Sequence, residues 1–353
     1  MSYVRTAIGI LLSVVLLWFL FRDTDWSALY AVLGRVEPGW LVLALTLSFS
    51  SSVAKVQRWS YVVRATHPAT FRSMFSATQI GLLVNILVPA RMGDVIRGFL
   101  LARLAKVSFA RCLTLVALDR INDIFALVSV LLVTLVSFPS NTDIQFAAGA
   151  FNNDEPFVVS SSLIRPATVS LILVLFSVIL VFVLLYFQQS YVIRFLDRAA
   201  GVVSKTLADK LHAIFSNFAA GMHIFRSIID LTKSVFFSLL TWGLVVLSLA
   251  ALLRAFQLEF PWYAPFLMLS ILGVFTSVTI TPGMVGQYHV PIVASLLMTV
   301  PSIDPNEAKA VAIVAHVVAI IPPVALGVYS MVREGLRVGD LVPKLRTRTT
   351  PPN

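Results

Sequence analysis

Two apolar stretches of this chain are broken in the same way, and no other feature narrows its possible folds so sharply. Residues 80–97 read IGLLVNILVPARMGDVIR, and residues 272–287 read LGVFTSVTITPGMVGQ. Proline and glycine recur at one spacing: Pro89 and Gly93 in the first, Pro282 and Gly286 in the second. Proline removes a backbone donor and breaks a helix. Within a bilayer, non-helical backbone survives only where it is buried in protein or lines a cavity. Interrupted apolar segments at matching places in two halves point to a transporter's binding site.

The rest of the chain supplies the membrane setting. It has 353 residues, 58% hydrophobic and 12% charged, which no soluble globular protein matches. Apolar runs over 4–21, 40–63, 112–138, 164–187, 232–253 and 309–332 reach the length needed to cross the hydrocarbon core. The first follows Arg5 and ends at Phe21-Arg22-Asp23-Thr24-Asp25 with no small-residue cleavage site, so it reads as an uncleaved membrane helix. The single Cys112 excludes an intrachain disulfide. The histidines, His67, His212, His223, His289 and His316, show no metal-ligand spacing, so neither a metal nor another cofactor is expected.

Loop charge orients the spans. Lys55, Arg58, Arg64, Arg72, Arg91, Arg97, Arg103, Lys106 and Arg111 face only Asp94 between residues 55 and 111, which places this region at the cytoplasmic side. Residues 139–163 hold Asp143, Asp154 and Glu155 without a lysine or arginine and belong outside. Arg194, Arg198, Lys205, Lys210 and Arg226 bring 188–231 back inside. Asp304 and Glu307 suit the outside, and the tail from Arg333 suits the inside. This accounting closes if 74–103 enters and leaves from the cytoplasm and 264–300 enters and leaves from outside. The expected fold is an all-α polytopic membrane protein of about six full transmembrane helices plus two opposed re-entrant helical hairpins in an inverted repeat. Tilted full spans are the alternative for the broken stretches.

A single integral membrane domain is expected over 1–345. Its first half is about 40–187 with the hairpin at 74–103, its second about 232–332 with the hairpin at 264–300, and 346–353 is a tail. Residues 191–226 mix charge with apolar residues at helical spacing and read as interfacial amphipathic helices joining the halves. After each break comes an apolar stretch, a short loop and a membrane helix, and Arg120 and His316 fall at comparable places in those two helices.

Three polar clusters stand beside apolar runs. In Pro89–Arg97 a half-helix starting near Gly93 would turn its free N–H groups toward the break, which favours an anion, with Arg91, Asp94 and Arg97 beside it. The plainer reading is an interfacial loop with a local Asp94–Arg97 pair. In the second cluster, Asp119 and Asp123 share a helix face with Arg120 between them; ionisable residues inside a membrane mark pathways or pair with one another, here with Arg91 or Arg97. In the third, Pro282, Gly283 and Gly286 let backbone approach a ligand or a packed helix, with Gln287, Tyr288 and His289 alongside. Asn85 can satisfy freed backbone groups, and Arg58-Trp59 reads as an interfacial anchor able to reach a head group.

At these positions the sequence resembles the lysylphosphatidylglycerol synthase transmembrane-region family, the flippase-like membrane proteins. The family pattern runs Arg-Trp, then Asn with Pro-x-x-x-Gly-Glu-x-x-Arg, then Glu-Arg-x-x-Asp, then Pro-Gly-x-x-Gly-x-x-Glu. Arg58-Trp59, Asn85 with Pro89, Gly93, Asp94 and Arg97, Asp119-Arg120 with Asp123, and Pro282-Gly283 with Gly286 and His289 follow it in order. Asp94 and Asp119 replace glutamates conservatively. His289 replaces one with loss of a fixed negative charge. No soluble aminoacyl-transferase domain accompanies these motifs, so the resemblance implies lipid translocation rather than lysylation.

The combined expectation is a lipid transporter or flippase, not an enzyme. It moves an anionic or phosphate-bearing lipid, either a phospholipid or a polyprenyl-phosphate-linked one, with membrane lipids as partners and a lipid-modifying enzyme as a further candidate partner. Arg91, Arg97 and Arg120 would hold the phosphate, and Asp94, Asp119 or His289 would carry any coupling proton. No GxxxxGK[ST] motif is present. Nucleic acid is not expected as a ligand. A polyprenyl-phosphate-dependent membrane glycosyltransferase and a non-transporting scaffold are the alternatives. The expected location is a prokaryotic plasma membrane with both termini cytoplasmic.

Overall fold

A computed structural model describes residues 2–65, 67–88, 91–139, 143–146, 157–187, 228–277, 280–300 and 302–337. The described helices are α1 (Ser2–Phe21), α2 (Trp26–Leu33), α3 (Pro38–Arg64), α4 (Phe71–Leu87), α5 (Met92–Ala105), α6 (Phe109–Ser137), α7 (Ser161–Phe187), α8 (Ile228–Ala255), α9 (Ala264–Thr276), α10 (His289–Thr299) and α11 (Pro305–Arg333). Helix starts follow local chemistry. Asp25, Thr70 and Asp304 accept from the first amides of α2, α4 and α11. Proline occupies the first turn of α3 and α11, where its missing N–H costs nothing.

Helices α3, α6, α8 and α11 hold the spans long and apolar enough to cross a membrane. Helix α1 ends at Phe21, where the expected first span ends. The chain bends by 90° and continues as α2, and the two pieces can count together as a fifth. Helix α7, 27 residues long, covers the expected 164–187 span. Within 139–163, the segment expected outside, β1 (Ile144–Phe146) pairs antiparallel with β2 (Phe157–Val159). Residues 191–226, 346–353 and Pro89 lie outside the described residues.

Both broken stretches fold as pairs of short helices. In the first, α5 doubles back on α4 so closely that a Cβ on Gly81 would sit 2.8 Å from the Gly93 carbonyl oxygen and 2.9 Å from the Arg97 Cβ. In the second, a 3₁₀ turn at Pro282–Met284 separates α9 from α10, and both helices pack together. Gly283 and Gly286 take left-handed φ values of 63° and 79° there, a region glycine enters without strain.

The element order repeats. Helices α3, α4, α5 and α6 run 27, 17, 14 and 29 residues, and α8, α9, α10 and α11 run 28, 13, 11 and 29. The packing is reciprocal: α11 lies on α4, α6 lies on α9, and α3 runs along α8. One apolar core gathers Val56, Trp59, Ile80, Ile96, Leu100 and Leu115 of the first set. The other gathers Leu252, Met268, Ile292, Leu296 and Val311 of the second. Trp18, Trp26, Trp40 and Trp262 are exposed at one end of the molecule, where α3 begins and α8 ends, an arrangement matching an interfacial aromatic belt.

Candidate functional site

The residues that could carry chemistry fall into two sites, one at each break. The first is an ion-pair network built from α3, α5 and α6. Asp119 is fully buried between two arginines: Arg58 Nε donates to its Oδ1 at 2.9 Å and Arg97 Nη1 to its Oδ2 at 2.6 Å. Arg58 Nη1 also donates to Asp123 Oδ1 at 2.6 Å. Asp123 Oδ2 takes Arg120 Nη1 at 3.0 Å and lies 3.7 Å from Lys55 Nζ. Arg120 reaches back with Nη2 to Asp94, in the first turn of α5. The Arg97 guanidinium lies flat over the Trp59 ring, 3.6 Å from its centroid.

This wiring corrects three expectations. Asp94 and Arg97 do not pair with each other: Arg97 turns to the fully buried Asp119, and Asp94 takes Arg120. Arg58 is no interfacial anchor. It is wholly buried, and its planar fork spans two carboxylates one helical turn apart, a task suited to arginine. Nor does Arg91 reach this network. Its Nη2 donates to the Thr276 carbonyl at 2.9 Å, so it bridges the first break to the end of α9. Lys55 was not singled out from the sequence, because only the fold brings it beside Asp123.

Asn85 acts on backbone, as expected. Its Oδ1 accepts the Gly93 N–H at 2.8 Å, and its amide stands 3.5 Å from Asp94. The first turn of α5 therefore does not leave every amide open to an anion. A Cβ on Gly93 would fall onto the Gly81 carbonyl oxygen, so glycine is required there.

The network has more cations than anions. Lys55, Arg58, Arg97 and Arg120 face Asp94, Asp119 and Asp123, an excess of one positive charge. Arg97 Nε and Nη2 and Arg120 Nε are buried without an acceptor among the described residues. Buried donors without acceptors are costly, so the arrangement suits an incoming oxyanion.

The second site is neutral. Gln287 Oε1 lies 3.2 Å from Ile280 N and 3.4 Å from Thr281 N, and its amide donates to the Phe275 carbonyl. It thus serves backbone groups freed by the break. His289 Nδ1 accepts the Gly286 N–H at 3.2 Å, and His316 Nε2 bonds the Gly283 carbonyl at 2.9 Å. Pro282 opens the 3₁₀ turn that holds these groups. Among the described residues, no hydrogen bond or ion pair joins Pro282, Gly283, Gly286 or His289 to the arginine network. The two sites approach through Arg91 and through α4, which packs against the 3₁₀ turn.

The lysylphosphatidylglycerol synthase TM region family matches residues 6–327, nearly the whole chain. The chain belongs to that family. In this lysylphosphatidylglycerol synthase TM-region protein, the matched span contains both breaks and every residue of both sites. No curated protein matches the chain.

Proposed function

We propose that this chain is a lipid transporter that carries an anionic or phosphate-bearing head group across the bilayer while the tail stays in the lipid. The observation that carries this reading is the buried network with one surplus positive charge and guanidinium N–H groups without acceptors, beside a helix break. Arg97 and Arg120 are the ligands of choice, and Asp94 and Asp119 orient them. Arg58 and Asp123 form the frame. Arg91 closes the gap between the breaks rather than binding phosphate.

The topology proposed is six spans with two re-entrant hairpins inserted from opposite faces, both termini cytoplasmic, in a prokaryotic plasma membrane. Several contacts support it. At about 1.5 Å per residue, α4, α5, α9 and α10 are each shorter than the ~30 Å hydrocarbon core. Arg333, at the end of α11, bonds the Arg72 carbonyl and Ser76 near the start of α4, joining two cytoplasmic ends. The amide of Asp25 bonds Asn306, and that of Glu37 bonds the Ala255 carbonyl, joining ends expected outside. The reciprocal packing of α11 on α4 and α6 on α9 fits an inverted repeat.

The enzyme reading is disfavoured because Asp94, Asp119 and Asp123 are each held by arginine, which leaves none poised as a base. The deciding test is translocation in proteoliposomes carrying a fluorescent phosphatidylglycerol or polyprenyl phosphate, read by dithionite quenching. Translocation well above protein-free vesicles, lost in Arg97→Ala and Arg120→Ala, supports the reading. Rates equal to protein-free vesicles with both probes overturn it in favour of a scaffold.

A further inference from the structure

The second break carries an arrangement that phosphate binding does not explain. His289 at the start of α10 and His316 within α11 lie edge to face, ring centroids 4.7 Å apart, and both are buried. Each is tied to the non-helical turn. A backbone N–H can only donate, so His289 Nδ1 must carry a lone pair toward Gly286. A carbonyl oxygen can only accept, so His316 Nε2 must carry hydrogen toward Gly283. Tyr288 stacks on His316 at 4.8 Å, and Phe21 of α1 meets the His289 edge at 6.2 Å.

These bonds make the two rings unequal as bases. A proton arriving at His289 Nδ1 would face the Gly286 N–H and break the bond that holds the turn. A proton arriving at His316 Nδ1 leaves its Nε2–H in place and strengthens the bond to Gly283 by adding charge. With the rings in contact, a second proton is opposed by the first. The surroundings offer little competition. Helix α9, β1, and α1 from Ala7 to Phe21 present no charged or titratable side chain. Helix α4 has only Arg72, at its far end. Helix α2 offers only Tyr30. Helix α8 has Asp230, Lys233 and Arg254 near its two ends. Helix α3 has Lys55, Arg58, Tyr61 and Arg64, with Glu37 just before it, and Lys55 and Arg58 belong to the arginine network. The other titratable groups of α11 are Glu307, Lys309, Tyr329 and Arg333, and Lys309 is held by Thr24 at 3.0 Å.

The position of His316 adds a reason to expect a charge there. Arg120 follows the first residue of α6 by eleven, and His316 follows the first residue of α11 by eleven. Arg120 contacts Asp94 beyond the first break, as His316 contacts Gly283 within the second. Corresponding joints in the two halves thus hold a permanent cation and a neutral imidazole that can become one.

We propose that His289 and His316 form a site for a single proton, carried on His316, which makes the second break cationic. This site stands apart from the transport reading; only its coupling to lipid movement rests on that reading. The probe is the proton itself. In full-length protein reconstituted in nanodiscs with ring-¹⁵N-histidine, the two rings are assigned by His289→Gln and His316→Gln and titrated. A glutamine at 316 still offers an N–H to Gly283, and His289→Asn and His316→Asn supply the same assignment should either glutamine variant misfold.

The expected result is one ring of the pair, His316, becoming doubly protonated as pH is lowered from neutral, while His289 keeps Nδ1 unprotonated. Two rings that remain neutral throughout overturn the proposal, and so do two that each take a proton. Translocation assayed alongside separates the readings. A titrating His316 with pH-independent translocation, or with none, keeps the proton site and removes its coupling. Lipid translocation with no titrating ring removes the site and leaves the transporter.

Discussion

Arg91 Nη2 donates to the Thr276 carbonyl oxygen at 2.9 Å, across 185 residues of sequence, and so ties the first break to the C-terminal end of α9. A cation at a helix C-terminus also meets the negative end of the helix dipole. Arg91 itself has a left-handed φ of 52°, an unusual conformation outside glycine. The backbone there is held in a form that aims this side chain at the other half.

Arg91→Ala should therefore loosen the two halves more than it harms lipid binding. The expected loss is about 1.5–3 kcal/mol, the range for a hydrogen bond from a charged group. Thermal unfolding in detergent measures it. Native mass spectrometry should find retained phosphate lipid unchanged from wild type, whereas Arg97→Ala should lose it. Equal loss in both variants would place Arg91 in the binding site instead.

Burial ranks the carboxylates of the network. Asp119→Asn leaves Arg58 and Arg97 without their shared counter-charge at a fully buried point and should cost about 3–5 kcal/mol. Asp94→Asn affects the partly exposed Arg120 and the long Asn85 contact and should cost about 1 kcal/mol or less. Apparent melting temperatures of the two variants, measured side by side, check the order. A larger drop for Asp94→Asn would contradict it.

Arg97→Lys keeps the charge but loses the flat stack on Trp59 and the two unpartnered N–H groups. Translocation of the phosphate lipid is expected to fall at least tenfold while expression and fold are kept. Circular dichroism and the dithionite assay together decide the point; a rate near wild type would mean that charge alone suffices.

Glycines divide by what surrounds them. A Cβ at Gly93 meets the Gly81 carbonyl oxygen and the Asn85 side chain, so Gly93→Ala must push α5 off α4, at about 1–3 kcal/mol. Gly243, in the middle of α8, has nothing within 4 Å of its added Cβ. Gly243→Ala should raise stability by about 0.5–1 kcal/mol through helix propensity. Melting temperatures moving in opposite directions are the expected readout.

Outside the membrane, Asp143 accepts the Ser161 N–H at 2.7 Å at the start of α7. The backbone bond from Ser161, then its side chain, hold the Asp143 carboxyl below its ordinary range. A depressed folded-state value means that the group stabilises above its unfolded value and that this contribution is lost as pH falls through the folded one. Hydrogen exchange at the Ser161 amide should accelerate in acid relative to its intrinsic rate. Asp143→Asn should remove that acid step while keeping an acceptor.

Much of the molecule was legible in the chain. Apolar length marked α3, α6, α8 and α11, and the Pro/Gly spacing marked the break at Pro282 and flanked the one near Gly93. Asn85 was read as a backbone partner and proved to be one. The partners of the charges were not legible. The i, i+3 spacing of Asp94 and Arg97 suggested a local pair, but a fully buried Asp119 is a stronger competitor for Arg97. Arg58 looked like an interfacial residue because it lies near the end of α3, 61 residues before Asp119. His289 stood in the Pro282 cluster, whereas the likeness in placement to Arg120 was the one signal for His316.

Sequence by itself determined where backbone cannot continue as helix in lipid, because that depends on local donors and on apolar length. It also determined that Asp119, Arg120 and Asp123 interrupt an apolar run. Only the tertiary structure decided which guanidinium meets which carboxylate, which donors are left without acceptors, and that the second break is held by imidazoles. Those outcomes depend on close approach between α3, α5 and α6, and between α10 and α11, and charge pairing at 2.6–3.0 Å is settled by packing rather than by order along the chain.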